Sequence, residues 1–527
     1  MGRGRKTLPP KAKAGQRLDL VSRAQDQYRQ WAVAVLVLFA VLALLVFDPM
    51  PFVGGDNAAY VSLSRSLVQG RGLSEIWTPE AKPHTQYPFG FPLLLAPITA
   101  LDLPYAWYKL VSWLSGLLSL LAFLMLAREG EGPGHLVAAL LLALSPHYLE
   151  YTRWVLSELP FTLLVMLTFL SLRRWEKKNH WPWLAGTVLA AAAANHIRSA
   201  GLALYLGIFI YLLARRKFRT AAIFLAGCVV LSLPWSLRNS HYGTSGGYLE
   251  QFLMRDPYQP ELGRLDLGGL GARLLANLRL YGTQILPRML FPATDAWSLA
   301  RFAWLATLLT VVPAILMLAA RLFRNPRPYD WFVAAYLGLS LLWPEAWSDV
   351  RFLLPLLPFL LLYLVQAYGQ ALAVWLKGRS GWPAFVLATL LAAASLAATW
   401  PLIGQNLEIR RNRAHDRLAG YAPAWRSFFA AAEWIKANTT ENSIVVSRKP
   451  TLFYLESGRK SYCYPFTADR DSMLKSLASA DYVMVEPVSA TGQRFLIPAI
   501  QPLLDKRYKI IYAQGDPPTY VLQVIKQ

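Results

Sequence analysis

Apolar blocks long enough to cross a lipid bilayer recur in this sequence between residues 31 and 403. A hydrocarbon core of about 30 Å requires a helix of roughly 20 apolar residues. With 55% hydrophobic and only 16% charged residues, the chain has enough apolar length for many such helices. We predict a polytopic α-helical membrane protein of about eleven spans. The predicted spans are residues 31–47, 105–127, 134–148, 155–172, 183–195, 199–214, 218–235, 299–318, 329–343, 352–376 and 382–403.

Basic residues follow the even-numbered spans, and this alternation predicts the orientation of the chain. The loops concerned contain Arg128; Arg173, Arg174, Lys177 and Lys178; Arg215, Arg216, Lys217 and Arg219; Arg321, Arg324 and Arg327; and Lys377 and Arg379. Cytoplasmic loops of membrane proteins are rich in Lys and Arg. We therefore expect a multi-pass protein of the cell inner (plasma) membrane. Residues 1–30 are predicted to form a basic cytoplasmic tail, residues 31–403 the transmembrane domain, and residues 404–527 a periplasmic or extracellular domain.

The formal net charge of +22 does not indicate a nucleic-acid-binding protein. Its positive residues lie mainly between membrane segments, where topology and anionic membrane lipids account for them. We expect membrane lipids as partners and no nucleic acid. The two cysteines, Cys228 in an apolar block and Cys463 near the C-terminus, are not expected to form a disulfide or a metal site.

The first outside loop, residues 48–104, contains the densest group of reactive side chains. Asp56 directly precedes a helical pattern in which Tyr60, Leu63 and Leu67 share one face, which predicts an amphipathic helix along the membrane surface. Asp56 therefore has two interpretations: a helix N-cap, or a carboxylate that accepts a proton during catalysis. The two interpretations are compatible.

This loop resembles the corresponding loop of GT-C glycosyltransferases, specifically the bacterial dolichyl-phosphate-mannose-transferase-like and aminoarabinose-transferase-like group. In that group an acidic residue follows the first membrane helix, and Tyr, Leu, Gly-x-Gly, Lys-Pro and Tyr-Pro-x-Gly-x-Pro come after it. The matching residues here are Asp56, Tyr60, Leu67, Gly70, Gly72, Lys82-Pro83 and residues 87–92. Four later motifs match in order: LSELP at 156–160, HIRSAG at 196–201, PWSLRN at 234–239 and RFLLP at 351–355. Many relatives have Asp-Glu where this chain has Asp56-Asn57, so a second carboxylate at that place is not assumed.

The resemblance implies an inverting glycosyltransferase that moves a sugar from a polyprenyl-phosphate donor to a hydroxyl or phosphate acceptor on the outer face of the membrane. The acceptor would be a lipid, a glycan or a protein. Such a reaction needs a carboxylate to take the proton of the attacking hydroxyl and cations to stabilise the departing phosphate. Asp56 is the predicted catalytic base. The predicted substrate-binding residues are Lys82, His84, Tyr87, Glu158, Arg198, Arg238 and Arg351.

Several of these residues also have a purely structural interpretation. Glu158 at the start of the fourth span would be a functional group or an ion-pair partner of Arg153. Arg198 and Arg351 would bind phosphate or anchor helix ends at the membrane interface. No metal site is assigned, although a divalent cation held by Asp56, His84 and His196 is a possible cofactor.

Two other classes of protein remain as alternatives. A transporter or flippase of lipid-linked sugars would also place basic residues at a membrane face, but it predicts internal symmetry and a midplane site. An O-antigen ligase or polymerase would share the donor chemistry and differ in its acceptor. The second outside loop, residues 236–298, contains a predicted surface helix at 270–286 but no phosphate-binding glycine motif.

From residue 404 the pattern changes to short strands and helices, which predicts a small extracytoplasmic α/β domain. Helices are expected at 425–438 and around 473–477, and strands at 443–447, 482–486, 509–512 and 520–525. The Asp469-Arg470-Asp471 segment resembles the D-x-D of nucleotide-sugar enzymes, but we interpret it as a charged surface loop.

Overall fold

A computed structural model describes residues 12–127, 134–243, 248–259, 262–296, 303–375 and 382–526. Helices dominate the chain up to residue 412. They are α1 (Ala12–Leu45), α2 (Asn57–Val68), α3 (Gly90–Ala100), α4 (Tyr105–Ala127), α5 (Gly134–Leu144), α6 (Pro146–Glu150), α7 (Glu158–Lys178), α8 (Trp181–Ile197), α9 (Gly201–Ala214), α10 (Phe218–Tyr242), α11 (Tyr248–Leu253), α12 (Leu267–Leu280), α13 (Leu286–Leu290), α14 (Ala293–Ala296), α15 (Ala303–Ala306), α16 (Val312–Arg324), α17 (Pro328–Leu342), α18 (Val350–Leu353), α19 (Leu357–Trp375) and α20 (Trp382–Asn412).

Six helices of the described part are long and apolar enough to span a membrane, or seven if one bent pair counts as a single span. The bent pair joins Pro146–Arg153 to Glu158–Lys178 at 112°. Four other predicted spans form the shorter helices α5, α8, α9 and α17, of 11, 17, 14 and 15 residues. The structure therefore confirms a polytopic helical membrane protein, while the count of eleven spans stays a prediction.

Aromatic side chains fill the interior of the bundle where α7, α17 and α19 meet. The ring of Phe359 stacks on Tyr329 at a centroid distance of 5.2 Å and meets Phe169 edge-on at 5.9 Å. Phe332 adds a further edge contact to Phe359 at 6.2 Å. These large buried rings supply much of the packing energy that a helix bundle gains from close contact.

A buried ion network connects the C-terminal end of α1 to its neighbours. Lys109 of α4 is fully buried, and its Nζ donates to Asp48 Oδ1 at 3.0 Å. Arg153 donates to Asp48 Oδ2 at 2.6 Å and to Glu150 at 3.1 Å. Buried charges are tolerated when they are paired in this way. Arg153 therefore pairs with Asp48 and Glu150, and the structure does not support the alternative in which it pairs with Glu158.

The first outside loop forms a helix where the sequence predicts one, but most of this helix is buried, including Ser62 and Ser66 of its polar side, so it does not lie along the surface as expected. Helix α2 ends before Gly70 and Gly72, whose φ angles are 70° and 63°. Glycine adopts this left-handed backbone at low cost, which explains why the helix stops there. Helix α2 packs on α3, and α3 leads into α4.

The C-terminal part forms the expected α/β domain around a five-stranded sheet. Its helices are α21 (Pro423–Asn438), α22 (Pro450–Ser457), α23 (Arg470–Leu477) and α24 (Ile497–Ile500), and its strands are β1 (Ile444–Val446), β2 (Lys460–Tyr462), β3 (Tyr482–Val485), β4 (Tyr508–Gly515) and β5 (Pro518–Val524). The strand order is β2-β1-β3-β5-β4, with β2, β1 and β3 parallel and β5 antiparallel to both neighbours. Asp469 caps α23 by accepting from Ser472 N at 3.0 Å, which is a structural role for the D-x-D segment.

This domain packs directly on the first outside loop. Ala58 of α2 lies in one apolar cluster with Phe428, Leu452 and Phe453. Ser461 N of β2 donates to Trp77 O at 2.6 Å. The domain is therefore held against the loop that contains Asp56.

Candidate active site

Asp56 directly precedes α2, but its carboxylate does not cap that helix. Oδ1 instead accepts from the Tyr87 hydroxyl at 2.8 Å, and Oδ2 accepts from Arg351 Nη2 at 2.8 Å. The side chain is 28% exposed, so it remains open on one side. The N-cap interpretation is thus wrong for the side chain, and Asp56 is free to act on a group outside the helix.

Arg351 controls the charge of Asp56. Burial disfavours the carboxylate, but the neighbouring Arg351 guanidinium outweighs it and holds the pKa of Asp56 below its ordinary value. Asp56 is therefore ionised at neutral pH, as a proton acceptor must be.

Glu158 supplies a second carboxylate to the same cluster. It is fully buried at the first turn of α7, where a negative charge suits the positive helix end. Glu158 Oε1 accepts from Arg198 Nη1 at 2.5 Å and from Arg351 Nε. Arg351 therefore bridges Asp56 and Glu158, and Arg198 completes a cluster of two acids and two guanidinium groups.

Local structure brings these four residues to one place. The sharp bend between α6 and α7 leaves Glu158 at a helix start, and Arg198 follows the last turn of α8 in an extended conformation. Arg351 lies in the short helix α18, which Asp349 caps through Val350 N at 2.6 Å. All four residues lie at or next to a helix end, where the backbone changes direction and side chains from different helices can meet.

Two tyrosines line the cluster. The Tyr60 ring lies 5.1 Å from the Tyr87 ring and 4.8 Å from that of Phe91, and these contacts fix the position of Tyr87. The Tyr60 hydroxyl lies 3.4 Å from Ser157 Oγ, which also accepts from Arg198 at 3.1 Å. Tyr60 and Ser157 were not among the predicted site residues, although each stands in a motif that the sequence analysis singled out.

His84 contacts Glu75 and the backbone of Tyr87, not the four charged residues of the cluster. Its ring is buried, and Nε2 accepts from Tyr87 N at 2.8 Å. Nδ1 therefore carries the proton and donates to Glu75 Oε1 at 2.9 Å. With both nitrogens engaged, His84 positions the Tyr87 backbone instead of reaching a substrate.

Arg238 and Lys82 also lie apart from the four-residue cluster. Arg238 donates to His84 O at 2.8 Å and to Leu73 O at 2.9 Å, so it clamps the first outside loop. Lys82 is exposed, and in the described part of the chain its side chain makes no hydrogen bond or ion pair. A phosphate-binding role for Lys82 stays a prediction.

The structure does not gather Asp56, His84 and His196 into a ligand set. His196 Nε2 lies 3.1 Å from Leu231 O, and its ring contacts Phe89. Among the described residues, no three His, Cys, Asp or Glu side chains are grouped so that they could hold a metal ion. Dependence on a divalent cation stays a prediction that only an assay can test.

Two solved structures resemble this chain over most of its length. ArnT from Cupriavidus metallidurans bound to undecaprenyl phosphate is 15% identical, with a TM-score of 0.56 and coverage of 94% of this chain and 98% of that chain. The Archaeoglobus fulgidus oligosaccharyltransferase, tethered with an acceptor peptide containing the NVT sequon, is 14% identical, with a TM-score of 0.53 and coverage of 94% and 74%. Both are GT-C glycosyltransferases. This chain has the GT-C fold.

One family model matches the middle of the chain. Residues 87–236 match dolichyl-phosphate-mannose-protein mannosyltransferase. The matched segment includes Tyr87, Glu158 and Arg198, whereas Asp56 and Arg351 lie outside it. No curated protein sequence matches the chain significantly. The family model and the two structures confirm the resemblance to GT-C glycosyltransferases, but of the first outside loop the family model covers only residues 87–104.

The candidate site combines a proton acceptor with cations. Asp56 is ionised and partly exposed, while Arg198 and Arg351 are 11% and 15% exposed. These side chains can remove a proton from a hydroxyl and contact an anion at the same place. The arrangement is suited to a reaction in which a hydroxyl attacks and an anion leaves.

Proposed function

We propose that the protein is an inverting glycosyltransferase that moves a sugar from a polyprenyl-phosphate donor to a hydroxyl or phosphate acceptor. The observation that carries this proposal is the Asp56 carboxylate, held between Tyr87 and Arg351 in a GT-C fold. The ArnT structure contains undecaprenyl phosphate and the oligosaccharyltransferase contains an acceptor peptide. These neighbours support a lipid-linked donor and a lipid, glycan or protein acceptor.

Asp56 is the proposed general base. As the acceptor oxygen forms its bond to the anomeric carbon, Asp56 takes the proton of that hydroxyl. The bond between the anomeric carbon and the phosphate oxygen breaks, and the polyprenyl phosphate leaves with the electron pair. Attack from the face opposite the leaving group inverts the anomeric configuration.

Arg351 couples phosphate binding to the strength of this base. Its Nη2 donates to Asp56 in the structure, and a bound phosphate would compete for the same guanidinium. When Arg351 turns toward phosphate, Asp56 loses a partner that stabilises its charge, and its affinity for a proton rises. Donor binding would thus make Asp56 a stronger base before the acceptor hydroxyl gives up its proton.

We place this reaction at the outer face of the inner membrane. The support is the basic character of the loops that follow the even-numbered predicted spans. Apolar side chains exposed on α10, among them Val229, Val230 and Leu237, offer a lipid-facing surface for a polyprenyl chain. The N-terminus would be cytoplasmic and residues 404–527 periplasmic or extracellular.

The decisive experiment offers purified protein one donor at a time. A polyprenyl-phosphate sugar and a nucleotide sugar are each incubated with an extract of acceptors from the native cell, and labelled product is measured. We expect transfer from the lipid donor alone, and none with Asp56→Asn. Transfer only from the nucleotide sugar would refute the proposal, and lipid movement without bond cleavage would favour a flippase.

A further inference from the structure

The four charged side chains at the candidate active site balance one another. Asp56 and Glu158 contribute two negative charges, and Arg198 and Arg351 contribute two positive charges, all joined by direct contacts. A phosphate that enters this largely buried cluster therefore meets no net positive charge. Burying an anion without a counter-charge is costly, so a phosphate site here requires another cation.

The C-terminal domain brings such a cation to the site. Lys449 directly precedes α22, and α22 packs on α2 through Leu452 and Phe453, which share an apolar cluster with Ala58. Ala58 is two residues beyond Asp56. The Lys449 side chain therefore stands beside the start of α2, where Asp56 lies.

The Lys449 ammonium is available to an anion. It is half-buried, with Nζ 6.0 Å from the centroid of the Trp425 ring, and it interacts electrostatically with Asp56. Across the residues that the structure describes, this ammonium has no ion pair and no hydrogen bond. Burial and the nearby Arg448 lower the pKa of Lys449, and the negative charge of a bound anion would oppose this by stabilising the ammonium.

The backbone that presents Lys449 is fixed by a buried acid. Glu486 Oε1 accepts from Ser447 Oγ at 2.9 Å and from Arg448 N, and Ser447 Oγ accepts from Lys449 N at 3.2 Å. The Arg448 guanidinium stacks 4.8 Å from the Phe466 ring. Little backbone freedom is left to lose when a ligand binds.

We propose that Lys449 binds a phosphate group of the substrate at the Asp56 site, so that the C-terminal domain completes the binding site of the membrane domain. The inference rests on the proposed glycosyl transfer for its substrate class. The phosphate belongs to the donor lipid or to an anionic acceptor, and the chemistry of recognition is the same for both. Lys449 supplies the counter-charge that the balanced cluster lacks.

The test compares Lys449→Ala and Lys449→Gln with the wild type and with Lys475→Ala, which removes an exposed lysine of the same domain. Three quantities are measured on the full chain: the Kd of undecaprenyl phosphate alone, and the KM values of the lipid donor and of a phosphate-bearing acceptor. We expect one or more of these three constants to rise by about tenfold to a hundredfold in the Ala and Gln variants, the effect of losing a charged hydrogen bond. Lys449→Arg should recover most of the loss, and Lys475→Ala should match the wild type.

The pattern of change identifies the source of the phosphate. A joint rise in the Kd of undecaprenyl phosphate and the donor KM assigns Lys449 to the donor, and a rise in the acceptor KM alone assigns it to the acceptor. Unchanged values in both Lys449 variants, with active wild-type protein, overturn the inference and leave the proposed function intact. Binding that depends on Lys449, but no sugar transfer by the wild type, overturns the proposed function and leaves the phosphate site. Wild-type protein that neither binds undecaprenyl phosphate nor transfers sugar overturns both.

Discussion

Arg351 contacts two carboxylates that both lie far from it in the sequence. It lies 295 residues from Asp56 and 193 residues from Glu158 in the sequence, yet it contacts both. Each carboxylate is costly to bury alone and acceptable with a guanidinium partner. The motifs that contain these residues were visible in the sequence, but their convergence was not, because no local pattern records contacts over such separations.

Asp56→Asn should abolish most activity while leaving the fold intact. Asn keeps the size of Asp and accepts from Tyr87, but it does not take up the proton of a hydroxyl. We expect turnover to fall by roughly two to four orders of magnitude, the usual contribution of a general base. Rates with a polyprenyl-phosphate sugar and the melting temperature check this. Near-normal turnover would leave Asp56 with only a structural role.

Arg351→Ala should destabilise the protein as well as inactivate it. The change leaves Asp56 and Glu158 short of a partner, and breaking a buried ion pair costs about 3–5 kcal/mol. The double variant Arg351→Ala, Glu158→Gln should regain part of the stability without regaining activity. Denaturation of the single and double variants measures this coupling. Equal stability of the two variants would contradict it.

Glu486 should make the stability of the C-terminal domain depend on pH. Burial raises the pKa of Glu486 to about 7, against an ordinary value of 4.5. Between these values the folded domain keeps a proton that the unfolded chain releases, so the stability falls as pH rises through this window and levels off above it. We expect Glu486→Gln, which can still accept from Ser447 and Arg448, to remove the decline. Hydrogen exchange of the β3 amides in the full chain at pH 5 and pH 8 tests this, and an identical pH response in both proteins would refute it.

Secondary-structure elements with strong periodicity could be predicted from the sequence, and short ones could not. The patterns for α2 and α21 are long and amphipathic, and β1, β3 and β5 alternate or run with β-branched residues. By contrast, β2 consists of Lys460, Ser461 and Tyr462, which contain no β-branched residue and no apolar alternation, so no pattern indicated a strand there. The contacts of His84 with Tyr87 N and of Arg238 with His84 O and Leu73 O could not be predicted either, because they involve backbone atoms that only the fold brings near.

The junction of α3 and α8 should tolerate no side chain at Gly90. A Cβ placed there would lie 2.5 Å from His196 O, 2.8 Å from His196 C and 3.1 Å from Ile197 N, which are all backbone atoms. Gly90→Ala must therefore push α3 away from α8, which would shift Tyr87 and Arg198 relative to each other. We expect a loss of about 1–3 kcal/mol in stability together with reduced activity.

Gly338→Ala is the matched control for Gly90→Ala. Gly338 lies inside α17, and a Cβ there would meet nothing within 4 Å. Alanine in a helix interior is favoured over glycine by roughly 0.5–1 kcal/mol. Melting temperatures of the two variants should therefore move in opposite directions. A fall of equal size in both would show that the cause is not the contact with α8.

At the scale of the whole molecule, the pattern of Arg and Lys in the sequence indicates which end of the helix bundle faces the cytoplasm. Several helices of the bundle are shorter than a bilayer is thick. Short helices are compatible with a span when neighbouring protein covers their polar ends. The distribution of Arg and Lys is therefore the best guide to orientation.

Labelling of single cysteines should confirm that orientation. Lys506→Cys lies on the C-terminal domain and Lys178→Cys at the end of α7, and both positions are exposed. In a Cys463→Ser background, an impermeant thiol reagent added to intact cells should label position 506 and spare position 178. Cys228 is buried and should not react. The reverse labelling would invert the topology.

The docking of the C-terminal domain on α2 restricts how this architecture can be recombined. A chimaera that takes residues 404–526 from a distant relative would meet an unmatched partner at Ala58 and Trp77, directly beside Asp56. The first outside loop and the C-terminal domain are therefore expected to change together over evolution. A chimaera that exchanges the first outside loop together with the C-terminal domain would keep the contacts beside Asp56.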